Sequence, residues 1–124
     1  MLSLLRKQSL ITLPLVIVTS LSLSFAPAIA NTMPLSQAEI DRELQTVPQW
    51  QQSQQTIVRT FEFKNFVEAI AFVDKLVEPA EAAGHHPDLN ISYNKVTVSL
   101  TSHDAGGLTN KDFQLAQTIS NLAP

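Results

Sequence analysis

The chain uses histidine three times, and all three lie between Glu81 and His103, in EAAGHHPDLNISYNKVTVSLTSH. An imidazole can give a proton in one step and take one in the next near neutral pH, so a cluster of them suits addition or elimination of water. Pro87 restricts His86 to an extended conformation, and adjacent side chains of an extended segment point in opposite directions. His85 and His86 therefore each offer one ring to a different environment. His103 sits at the C-terminal end of a predicted fourth strand, just before Gly106-Gly107. If that strand end borders the His85-His86 turn, three rings converge over the polar rim of a sheet.

The same residues have other readings. Three histidines can bind zinc, although adjacent His-His is a poor spacing for two ligands of one ion. Either ring of the pair can instead sit as a cation at a helix C-terminus, a role worth about 0.3–1 kcal/mol. Glu81, one helical turn before His85, can orient an imidazole or stand as an ordinary exposed helix acid. Asp112 reads first as a capping-box carboxylate. The absence of cysteine excludes thiolate catalysis and thiolate metal sites. Gly106-Gly107 lacks the lysine of a phosphate loop, and no serine occupies G-x-S-x-G.

The elements that must position these rings follow from periodicity. Ser36 with Glu39 forms a capping box and Leu35 with Ile40 a hydrophobic staple, so a helix begins at Gln37, carries Leu44 and Val47, and stops at Pro48. Ile57, Arg59, Phe61 and Phe63 share one strand parity and Val58, Thr60 and Glu62 the other, with a shorter strand expected around Trp50. From Asn65 the period becomes helical. Phe66, Ala69, Ile70, Val73, Leu76, Val77 and Ala80 form the expected buried stripe, Phe72 lies off it toward a second subunit, and Gly84 ends the helix. Two strands joined at Asn94-Lys95 follow, with Val96, Val98 and Leu100 inward and His103 on the polar parity of Thr97, Ser99 and Thr101. Thr109 with Asp112 caps a last helix that buries Phe113, Ala116, Ile119 and Leu122. The order helix, two strands, helix, two strands, helix predicts an α+β domain, a four-stranded antiparallel sheet with helices packed on one face.

Residues 1–30 read as a secretory signal peptide: Arg6 and Lys7, the apolar run Leu10 to Phe25, then Ala28-Ile29-Ala30. An uncleaved N-terminal membrane anchor is the alternative. The expected domain, residues 31–124, is exported to the periplasm or an equivalent compartment, with no stable membrane insertion after cleavage. It holds six Lys and Arg against eleven Asp and Glu, a formal charge of −5, and no basic run. That excludes a nucleic-acid surface and favours a small-molecule or protein partner. With no disulfide to brace so small a core, oligomerisation is a common remedy.

Glu81-x-x-x-His85-His86-Pro87, then Tyr93-Asn94-Lys95-Val96, then Ser102-His103-Asp104-x-Gly106-Gly107-Leu108-Thr109-x-x-Asp112 and Ala116, resembles the pterin-4a-carbinolamine dehydratase family. Trp50, Phe61, Phe63 and Phe66 fit its pattern too, so the resemblance covers residues 35 to 122. It implies dehydration of a 4a-hydroxytetrahydropterin to the quinonoid dihydropterin, in tetrahydropterin recycling, with no metal or organic cofactor. By the same resemblance His85 and His103 are the general acid and base, and Glu81 is the nearby active-site acid. His86, Asp104 and Asp112 bind the substrate, and the protein assembles as a homodimer or homotetramer. Ser102 stands where some relatives have threonine, and Leu89 where animal members carry an aromatic ring. Because pterin recycling is cytosolic, export leaves a second expectation: an exported, non-catalytic pterin-binding or protein-interaction module on the same fold.

Overall fold

The computed structural model describes residues 33–124; the expected signal peptide lies outside them. The element order is α1 (Gln37–Leu44), β1 (Gln51–Ser53), β2 (Thr56–Glu62), α2 (Phe66–Ala83), β3 (Asp88–Ser92), β4 (Lys95–Leu100) and α3 (Asn110–Leu122). The four strands form one antiparallel sheet in the order β1-β2-β4-β3, the α+β architecture expected. Among the described residues no helix is long and apolar enough to cross a membrane.

The start of α1 is fixed as its sequence requires: Glu39 accepts hydrogen bonds from the Ser36 amide at 2.8 Å and the Ser36 hydroxyl at 2.7 Å. Those bonds, the hydroxyl's first, hold the Glu39 carboxyl below the usual glutamate range. The helix ends earlier than expected, at Leu44, because Thr46 and Val47 already make bonds three residues back. Val47 is still buried, beyond the helix.

Alternation in β2 and β4 puts Ile57, Phe61, Val96, Val98 and Leu100 on one face, all buried, and α2 and α3 cover that face with Ala69, Leu76, Phe113, Ala116 and Ile119. Leu115 joins this core and Leu122 is only half-buried, a small rotation of the face expected for α3.

In α2 the shift is larger. Phe72 is 2% exposed and turned into the core, whereas Phe66 and Val77 are 50% and 59% exposed. The expectation that Phe72 faces a second subunit is therefore corrected. Apolar residues are dense enough on this helix to support two overlapping stripes, and aromatic packing selects one. The Phe72 ring lies 4.7 Å from Phe61 and 5.0 Å from Phe63, centroid to centroid.

The second hairpin turns at Tyr93-Asn94, one residue before the expected turn, since Ser92 pairs with Lys95. Asn94 makes this register specific. Its side-chain amide donates to the Phe63 carbonyl at 2.7 Å while its own carbonyl accepts from the Phe63 amide at 2.8 Å. Tyr93 takes the positive φ of 52° that the turn demands.

Candidate active site

Three chain segments meet at one end of the sheet: the residues after α2, the residues after β4, and the first turn of α3. Gly84 ends α2 with φ 55° and ψ 36°, a left-handed conformation that costs a residue with Cβ about 1–2 kcal/mol. That turn swings His85 back over the helix end, its amide bonded to the Ala80 carbonyl at 3.1 Å. A Cβ on Gly84 would meet nothing within 4 Å. Gly84→Ala is thus expected to be destabilising through backbone conformation alone, lowering the thermal midpoint by roughly 4–8 °C per kcal/mol lost in a domain of this size. A calorimetric scan of the variant checks it; an unchanged midpoint means the turn relaxes.

His85 is tied inward. Its Nε2 lies 2.7 Å from Asp112 Oδ1, with side-chain exposures of 12% and 0%. The other carboxylate oxygen, Oδ2, accepts from the Thr109 amide at 2.8 Å and the Ser102 hydroxyl at 2.9 Å. Ser102 has one hydroxyl proton and spends it there. The Thr109 hydroxyl, 2.8 Å away, must then donate to Ser102, while it accepts from the Lys111 amide at 3.3 Å. Every polar group in this network is satisfied, as buried groups must be; among the described residues no buried side-chain polar atom lacks a partner.

Asp112 is thus both the α3 cap and the anchor of an imidazole. A carboxylate accepts only, so His85 donates from Nε2 and keeps Nδ1 as its uncommitted nitrogen. With no exposure, Asp112 does not reach the cleft surface. Its contact with the cleft is His85, which does line it.

His86 faces the other way. Its Nε2 lies 2.8 Å from Glu81 Oε1, both side chains mostly exposed at 62% and 70%. The acid one turn before His85 therefore pairs with His86 instead, because the left-handed Gly84 turn carries His85 across to α3. Exposed pairs contribute about 0.2–1 kcal/mol. Glu81→Gln is expected to leave unfolding free energy within about 1 kcal/mol of the parent in a urea titration.

His103 does not end a strand. β4 stops at Leu100, Ser102 forms an isolated bridge to Gly107, and His103–Ala105 make a short 3₁₀ turn closed by Gly106 at φ 73°. A 3₁₀ residue has no strand parity, yet the His103 ring is exposed. With His85, His86, Ser102, Asp104 and Lys111 it lines one cleft of about 490 Å³. All three histidines and Asp104 thus border a common space, and Glu81 reaches it only through His86. Among the described residues no three His, Cys, Asp or Glu side chains converge as metal ligands. Lys111 escaped the sequence reading; its position beside Asp112 in the first turn of α3 is what puts it there.

Residues 33–122, nearly all of the described chain, match the family model described as Pterin 4 alpha carbinolamine dehydratase. The chain belongs to the pterin-4a-carbinolamine dehydratase family. A relative from Picosynechococcus sp. that carries a provisional pterin-4-alpha-carbinolamine dehydratase name is 62% identical over 88 residues, 71% of this chain and 96% of the relative. A second, from Cyanothece sp. and named likewise, is 61% identical over 89 residues, 72% of this chain and 92% of that one. Among solved structures, a transcriptional coactivator/pterin dehydratase from Brucella melitensis superposes with TM-score 0.70 at 31% identity, covering 73% of this chain and 99% of that one. A pterin dehydratase-like protein described as a RuBisCO assembly factor of the alpha-carboxysome shares the fold, with TM-score 0.51 at 24% identity over 60% of this chain and 86% of that one. Pterin-4a-carbinolamine dehydratases are lyases, and in this chain all three histidines line one cleft.

Proposed function

We propose that the protein eliminates water from a 4a-hydroxytetrahydropterin by histidine general acid/base catalysis, as a step of tetrahydropterin recycling. The observation that carries this reading is the shared cleft of His85, His86 and His103. Elimination breaks the C4a–O bond as a proton reaches the departing hydroxyl, and the ring nitrogen loses its proton to form the C=N bond of the quinonoid product. Two proton-transfer groups on a rigid rim meet that requirement. His85, with Nε2 committed to Asp112 and Nδ1 uncommitted, is one of the pair; His103, exposed on its 3₁₀ turn, is the other. His86 and Asp104 hold the pterin at the cleft wall.

The test is stopped-flow dehydration of freshly generated 4a-hydroxytetrahydropterin by residues 31–124. Saturable acceleration over the buffer rate supports the enzyme. A folded protein without acceleration sinks this reading and leaves a non-catalytic module, whose pterin affinity a titration would then measure.

Export and self-association belong to the same proposal. Residues 1–30 direct secretion, so the intact mass of the mature protein is expected to begin at Asn31. Assembly is supported by β3, an edge strand exposed along its whole length with Leu89 and Ile91 on view and Tyr93 exposed in the turn after it, since an open apolar edge invites pairing. Sedimentation reads the outcome: a monomer at all concentrations rules assembly out.

A further inference from the structure

Arg59 lies on the β2 face that carries Ile57 and Phe61 into the core, opposite Val98 in the ladder. A cation there needs a reason. Its guanidinium carbon stands 4.1 Å from the Phe61 ring centroid, and Nη1 donates to Ser120 Oγ at 3.0 Å. Ser120 in turn accepts from Trp50 Nε1 at 2.9 Å and donates to the Ala116 carbonyl at 2.7 Å. The fork is thus held in place from the sheet below and the helix beside it. Burial pushes the Arg59 guanidinium below its usual range, though an arginine keeps its charge in any protein environment.

No carboxylate answers it. Eleven acids against six cations in the expected domain give ample choice, yet among the described residues none forms an ion pair with Arg59. Instead the guanidinium faces a cleft of about 340 Å³ between the loop Thr46–Trp50 and the last turns of α3. Gln49, Gln117 and Asn121 line it together with Thr46, and no acid does. Gln117 is held across the opening by its bond to Thr46 Oγ1 at 3.0 Å. This cleft shares no residue with the histidine cleft.

We propose that the Arg59 cleft is a second binding site, for a small organic carboxylate. A guanidinium fork matches a carboxylate in two parallel hydrogen bonds. A single cation, with no lysine beside it, balances a monoanion and leaves a phosphate dianion half uncompensated. The side-chain amides supply neutral donors and acceptors for the rest of the ligand. A rival role exists: a cation near the last turn of α3 also complements the negative end of the helix dipole. That role calls for neither a cleft nor amide walls, and it makes no demand for a ligand.

Trp50 is the sole tryptophan of the chain, and its indole N–H shares Ser120 with Arg59, so it reports on the site. The experiment titrates ¹⁵N-labelled residues 31–124 with sodium propionate, sodium phosphate or sodium chloride at equal ionic strength, following the Trp50 indole and Arg59 Nε–H resonances. Saturable shifts with propionate are expected, at a dissociation constant on the order of 1–10 mM, and at least about tenfold weaker binding in Arg59→Gln. Asn121→Asp, an exposed change that sets an anion in the cleft, is expected to weaken binding similarly and serves if Arg59→Gln does not fold. The proposal falls if propionate gives no saturable shift or no more than chloride, if phosphate alone saturates, or if neither variant weakens the binding.

Discussion

His103→Ala is expected to slow dehydration by about 10²–10⁴-fold, the usual contribution of a general acid or base, while leaving the unfolding midpoint unchanged. The ring is exposed and packs into no core, so its removal takes away a proton carrier and little else. His85→Ala should slow the reaction over a similar range but also destabilise the fold. It strips Asp112 of one of its three donors to a wholly buried carboxylate, a loss of about 1–3 kcal/mol. Measuring turnover and urea unfolding on both variants separates the two roles. Wild-type turnover in His103→Ala would remove that residue from the mechanism.

Asp112 is expected to give the largest combined effect. Alanine there removes the N3 half of the α3 capping box, leaving Thr109 as its N-cap, and orphans the Thr109 amide, the Ser102 hydroxyl and the His85 Nε2. Destabilisation of about 3–5 kcal/mol follows, as for other broken buried charge networks. Asparagine keeps the shape and one acceptor oxygen, so its stability loss should be smaller, about 1–3 kcal/mol. Its amide nitrogen must nonetheless face a donor. Where it faces His85, the ring is driven to the other tautomer, with the proton on Nδ1 and the wrong nitrogen left for chemistry. Asp112→Asn should therefore lose about 10²-fold or more in turnover while keeping more stability than Asp112→Ala, and ¹⁵N chemical shifts of the ring should report the exchanged tautomer. Native turnover with a native tautomer would reduce Asp112 to a helix cap.

The aromatic and glycine positions illustrate how differently the levels of structure are written. Ser36 with Glu39, and Thr109 with Asp112, are local rules: the side chain that satisfies a helix's first amides lies within three residues of them, and both caps form where expected. Alternation in Val96, Val98 and Leu100 likewise names its own buried face, because the pleat has a period of two. Gly84 and the HHP turn after it were legible for the same reason, since a left-handed residue stops a helix wherever it stands.

What failed depended on partners far along the chain. Helical spacing put Phe66 on the buried stripe and Phe72 off it; the rings of Phe61 and Phe63, arriving from β2 and its end, decide that Phe72 is the one buried. Spacing pointed Glu81 at His85 across one helical turn, but α3 brings Asp112 from 27 residues away to take that ring. Sequence by itself determined the elements, the α+β class and the three rings fit for proton transfer, because these rest on contacts within a few residues. Only tertiary structure decided which carboxylate holds which imidazole, that Lys111 borders the cleft, and that Arg59 stands without an acid, since each is a contact between segments whose meeting no local period encodes.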